Sequence, residues 1–154
     1  MQNELAMKSV LDKSTRDELF NRINSLNENS KPLWGKMNVF QMLRHCTLCE
    51  EIFQGEKKHK RAFIGRIFGR VALKGILKDE KPFKKNSPTN PVFKPSENKG
   101  DINAEKAKWI SQLEAYAGYS KQDFEHWFFG KMTREQVGVF DYKHIDHHLR
   151  QFNA

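Results

Sequence analysis

Thr133-Arg134-Glu135-Gln136-Val137-Gly138-Val139-Phe140-Asp141-Tyr142-Lys143-His144-Ile145-Asp146-His147-His148-Leu149-Arg150-Gln151-Phe152 is the stretch on which the fold turns. Thr133 with Gln136 three residues later is a capping box, in which two side chains satisfy backbone donors left orphaned at a helix N-terminus. Val137, Phe140, His144 and His148 then share one face of the helix that follows. His144 and His148, four apart, project from neighbouring turns. Two imidazoles placed this way can hold two corners of a metal site, provided another element brings a third.

Upstream, the same periodicity recurs. Ser14-Thr15-Arg16-Asp17 reads as the cap of a first helix carrying Leu19, Phe20, Ile23 and Leu26. Pro32-Leu33-Trp34-Gly35 is a loop. Asn38 caps a second helix that runs to about Gln54 and stops at Gly55. It carries Val39, Met42, Leu43, Cys46, Cys49, Ile52 and Phe53, with His45 in their midst. A third amphipathic stretch covers Ala62 to Lys78, where Arg66, Arg70, Lys74 and Lys78 form a basic stripe opposite Phe63, Ile67, Val71 and Leu77. Prolines 82, 88, 91 and 95 make residues 79–102 a long loop. Asn103 starts a further helix through Trp109, Ile110, Leu113 and Tyr116, ended by Gly118, and Trp127-Phe128-Phe129-Gly130 is a connector. No strand-like alternation of useful length is present. The expected class is all-α: a four-helix bundle with an additional basic helix and a long Pro-rich crossover.

Length and composition agree with this. The 154 residues fit a single domain, 1–154, with 1–13 expected to be a flexible lead. A mean hydropathy of -0.78 excludes an integral membrane protein. Met1-Gln2-Asn3-Glu4-Leu5 has neither the basic nor the apolar part of a secretory signal, and two cysteines make no disulfide framework, so a cytoplasmic location is expected. The net charge of +8 is concentrated: residues 57–99 hold 13 Lys/Arg against 3 Asp/Glu, and the remainder holds 14 against 16. Such a segment suits anionic lipid, nucleic-acid phosphate or an acidic substrate, but it is also what a solvated helix face looks like. No nucleic-acid motif accompanies it, so neither nucleic acid nor a membrane surface is an expected partner.

His45 lies in an apolar stripe, where an unpartnered imidazole costs about 1–3 kcal/mol. A metal shared with His144 and His148 satisfies it. His147, three from His144, is the competing second ligand; at about 100° per residue it falls to one side of the Val137–Phe140 face, so His148 is preferred. Three neutral histidines leave an ion its double charge and an open position. Cys49, four from His45, is within reach of a fourth corner. Asp141, one turn before His144, is placed either to orient that ring or to face solvent. Cys46-Thr47-Leu48-Cys49 matches C-x-x-C in letters only, because redox pairs sit at a helix N-terminus and these lie inside one. His59 sits among lysines and reads as solvated, and His126 as a structural hydrogen-bonding residue.

A His in the second helix, combined with a last helix of form H-x-x-x-H followed by Arg and Gln, resembles the DinB/YfiT-like superfamily of four-helix-bundle metalloenzymes. Lys31 through Cys46, Asn86-Ser87-Pro88-Thr89, Phe128 through Thr133 and Tyr142 through Gln151 resemble one uncharacterised branch of it. The resemblance implies a divalent metal, zinc or nickel, on His45, His144 and His148. It also implies chemistry like that of relatives in which the metal activates a low-molecular-weight thiol, among them S-transferases and an isomerase. The chain is therefore expected to be a metal-dependent S-transferase or hydrolase acting through a bound thiol or water. A small-molecule thiol cosubstrate and a homodimer are the expected partners. The other reading is a non-enzymatic bundle that binds a partner, nucleic acid or anionic membrane through residues 57–99.

Overall fold

Five α-helices and one short hairpin make up the computed structural model, which describes residues 7–154. They are α1 (Lys13–Ser25), α2 (Val39–Phe53), α3 (Phe63–Leu77), α4 (Ile102–Glu114) and α5 (Arg134–Gln151), with strands β1 (Phe124–His126) and β2 (Gly130–Met132) before α5. The expected capping box of Thr133 with Gln136 is present on α5, and the expected cap Asn38 on α2 turns out to be a full capping box with Gln41. Gly55 follows α2 at φ +79°, a left-handed turn that favours glycine.

Two helix starts differ from expectation. α1 begins at Lys13, and Ser14 through Asp17 lie within its first turns, not at its cap. Arg16 explains this: its guanidinium donates to the Val10 and Leu11 carbonyls, both at 2.8 Å, while the Val10 N–H donates to Gly138 O. These bonds set the direction of the chain into α1 without a side-chain cap. Val10 is fully buried, so the described part of the lead expected to be flexible is held in place; Met1 through Ala6 lie outside the described residues. α4 starts at Ile102, one residue ahead of Asn103, and is capped by Asp101, whose carboxylate accepts from Ala104 N–H.

α2 lies chiefly along α4, α1 meets α4 and α5, and α5 meets α2. Leu19, Ile23, Met42, Leu43, Trp109, Leu113, Ile145 and Leu149 fill the space between them and are fully buried. Asp146 ties α5 to α1 through Arg22 at 2.8 Å, and also pairs with Arg150 at 2.7 Å.

The hairpin corrects the expectation of a plain connector. β1 and β2 pair antiparallel, Phe124 with Met132 and His126 with Gly130. Each strand is three residues, too short for a period of two to register in sequence. Buried His126 does make structural hydrogen bonds, its Nδ1 accepting from Phe128 and Phe129 N–H at 3.1 and 3.2 Å.

α3 also departs from expectation. It packs on α5 and β2 not with Phe63, Ile67 and Val71 but with Gly65, Gly69 and Leu73, and the other three face solvent. The two glycines let the helix backbone lie against the backbone of Phe128 and Phe129. Lys143 of α5 locks the other end, its Nζ donating to Ile76 O at 2.6 Å and Asp79 O at 2.8 Å.

Gly69→Ala and Gly75→Ala should therefore move stability in opposite directions. A Cβ at Gly69 runs into the Phe128 carbonyl oxygen and meets Phe129 Cα at 3.0 Å, whereas one at Gly75 meets nothing within 4 Å. Helix propensity favours either alanine by about 1 kcal/mol. At Gly69 overpacking against backbone costs about 1–3 kcal/mol and outweighs it. Thermal melts should show Gly75→Ala at or above the parent and Gly69→Ala several degrees below; equal shifts would mean that α3 is not seated on its glycines.

Candidate metal centre

α2 and α5 bring three imidazoles together at one end of their contact. His45, His144 and His148 each offer one ring nitrogen to a group whose members lie within 4.8 Å of one another, and His147 is outside this group. His147 packs instead against Trp34 and Phe83, at 5.6 and 5.9 Å between ring centroids.

The outward nitrogens are engaged first. His45 Nδ1 is 2.8 Å from the carbonyl oxygen of Phe93. A carbonyl only accepts, so His45 carries its proton on Nδ1 and its Nε2 offers a lone pair. Gln151 does the same for His148. Its Nε2 donates to Trp34 O at 2.8 Å, which makes Oε1 the end that faces His148 Nδ1 at 3.0 Å, so that nitrogen must donate. His45 Nε2 then points at His144 Nε2 across 3.2 Å. Metal–imidazole bonds of about 2.0–2.1 Å in a tetrahedron separate neighbouring nitrogens by about 3.3–3.4 Å, so this gap has the width of a coordination edge.

Burial holds all three imidazoles below their ordinary range. For His144 the neighbouring His148 and His45 add to the effect, and His148 is pushed down to about 3. All three are neutral near pH 7, the form that ligates. Cys49 lies beside the group, Sγ 3.8 Å from His45 Nε2. Burial and then Glu50 push its thiol well up, so it is protonated there. Cys46 is buried against Met42, as its place inside a helix implies.

Asp141 makes no hydrogen bond to His144. It is fully buried, neither of its oxygens has a hydrogen-bond partner among the described residues, and its neighbours are Glu50 and Tyr116. His59, expected in solvent, is half-buried edge-on to Phe93.

The long loop supplies what sequence reasoning missed. Its single helical turn, Pro91–Phe93, presents the carbonyl that fixes His45, and Phe83 and Phe93 wall the cavity on which the group opens. This open cavity measures about 1170 Å³ and is lined mainly by apolar side chains, Phe53, Phe140, Trp127 and Phe129 among them. Lys78, Lys81 and Lys84 reach its wall.

A family model described as "Protein of unknown function (DUF1569)" matches residues 6–154. The chain belongs to this family. No curated protein and no solved structure matches it. The DUF1569 match covers α2, α5 and the loop together, so every residue of the three-histidine group and both of its outer acceptors fall within the family's domain.

Proposed function

We propose that this chain is a metal-dependent enzyme of the DinB-like kind, with His45, His144 and His148 holding a divalent ion, zinc or nickel. A thiol-dependent transfer is the reaction it suits best, with hydrolysis by an activated water as the near variant. The observation that carries this reading is the arrangement of the rings: two outer nitrogens tied to acceptors, and inner nitrogens gathered together in a mainly apolar wall. An ion held there supplies a Lewis acid that lowers the pKa of a water or thiol beside it.

The chain's own residues do the rest. The Phe93 carbonyl and Gln151 fix the tautomer and orientation of the His45 and His148 rings, so that these two need not turn when an ion arrives. The aromatic wall takes the apolar body of a substrate and excludes water. Lys78, Lys81 and Lys84 draw an anionic group, such as the carboxylate of a small thiol, toward the opening.

The test is elemental analysis of protein purified without a histidine tag. Close to one zinc or nickel per chain is expected. Folded protein that arrives metal-free and takes up neither added ion would remove the reading. Gln151→Leu should keep the fold and weaken metal binding by about 10–100-fold, since it frees the His148 ring without touching a ligand. Competition against a chromophoric chelator measures the change.

A further inference from the structure

Among the described residues seven large apolar side chains are exposed, and five of them are on α3: Phe63, Ile64, Ile67, Phe68 and Val71. Between 56% and 75% of each is open to solvent. They form one arc, because the line Gly65–Gly69–Leu73 occupies the opposite, packed side of the helix. Arg66, Arg70 and Lys74 each follow a residue of that packed line, so they run along one edge of the arc, and Lys78 closes its end. All four are exposed, and among the described residues none makes an ion pair. From Phe63 to Leu77 there is no acidic residue.

We propose that α3 is an interfacial helix that docks this protein on the surface of an anionic bilayer. A bilayer surface offers both things this face lacks, an apolar layer for the arc and anionic headgroups for the cations at its edge. A second copy packed face to face on α3 would cover the arc, but that face brings only further cations and no acid to balance them. The basic stripe fits a solvated face only if the residues beside it pack inward, and they do not. Position supports the same occupant. Phe63, Ile64, Ile76 and Lys78 of α3 also line the apolar cavity, so docking would set the cavity beside the membrane. No helix of the described residues is long and apolar enough to cross a membrane, so attachment is at the surface. None of this requires the three histidines to hold a metal.

Co-sedimentation with vesicles tests the proposal, using phosphatidylcholine alone and phosphatidylcholine with about one quarter phosphatidylglycerol at roughly 0.1 M salt. The protein should pellet with the anionic vesicles, less with the neutral ones, and less as salt is raised. Each cation near such a surface changes partitioning about fivefold, so Arg66→Gln/Lys74→Gln should weaken it roughly 30-fold. Ile67→Ser/Val71→Ser should abolish sedimentation while leaving the melting temperature unchanged, since both side chains already face solvent. Protein that stays in the supernatant with both vesicles overturns the proposal, as do variants that bind like the parent or equal binding to neutral vesicles. Two chains per particle in solution, dissociated by Ile67→Ser/Val71→Ser, with no vesicle binding, would assign the face to a second copy instead. Salt-sensitive binding of duplex DNA or an acidic protein without vesicle binding would equally overturn it.

Discussion

A His45→Ala/His148→Ala variant should keep its helices and lose its metal. Zinc sites with a full set of protein ligands release about 10–16 kcal/mol on binding, or roughly 3–4 kcal/mol per ligand. Removing two of three should therefore weaken affinity by about 10⁴-fold or more, and protein purified without a tag should carry almost none. His147→Ala is the control. That ring lies outside the group, between Trp34 and Phe83, and its loss should leave the metal content intact. Metal retained in the double variant, or lost in His147→Ala, would place the ion elsewhere.

The same double variant should change how the metal-free protein responds to acid. The folded state holds His45, His144 and His148 below the ordinary imidazole range, so it binds fewer protons than the unfolded chain. Stability is then fully present above about pH 6.5 and falls as pH drops toward the folded values, near 3 for His148. With two of the rings gone, melting temperatures in chelator should fall less between pH 7 and pH 5 than those of the parent. At pH 7 the variant pays a fixed penalty of about 1–3 kcal/mol, because the Phe93 carbonyl loses its donor in a buried position.

What could be read from sequence was whatever is encoded locally. Asn38 as a cap and Thr133 with Gln136 as a capping box announce their helices because a cap is encoded within four consecutive residues. Spacing and apolar context pointed to His45, His144 and His148, and the structure brings those three together. The partners that orient two of them differ in kind. Gln151 stands three residues from His148, but the carbonyl that fixes His45 belongs to Phe93, 48 residues away, and no side-chain type marks a backbone acceptor. The facing of α3 was illegible for another reason. Its hydrophobic period names an apolar side, whereas close backbone approach to Phe128 and Phe129 selects the glycine side, and that requires knowing the hairpin exists. Three-residue strands carry too few alternations to reveal it.

Stability between pH 7 and pH 9 should fall more steeply in the parent protein than in Asp141→Asn. Glu50 of α2 and Asp141 of α5 are buried together, with the Tyr116 hydroxyl donating to Glu50 Oε2 at 3.1 Å. Burial raises both carboxyls, and for Glu50 the nearby Asp141 charge raises it further. The folded state thus keeps protons that the unfolded chain releases at ordinary carboxyl pKa values. Its stability is greatest in acid as far as this pair is concerned, and is lost as pH rises toward the folded values. The histidines work in the opposite direction, but their contribution is complete once pH passes about 6.5, so across the alkaline window they do not mask the carboxyls, and the buried thiols of Cys46 and Cys49 are common to parent and variant. Asn at position 141 has the shape of Asp, cannot ionise, and brings an N–H donor to Glu50. It should gain about 1–3 kcal/mol over the parent at pH 8–9, because the parent must there bury a second charge or hold a proton against the solution. Tyr116→Phe should move the other way, removing the one hydroxyl that donates to Glu50. Urea unfolding at three pH values measures the difference. Parallel curves for parent and Asp141→Asn across that window would show that the pair ionises as freely in the fold as in the unfolded chain, which a fully buried carboxyl without a hydrogen-bond partner does not permit.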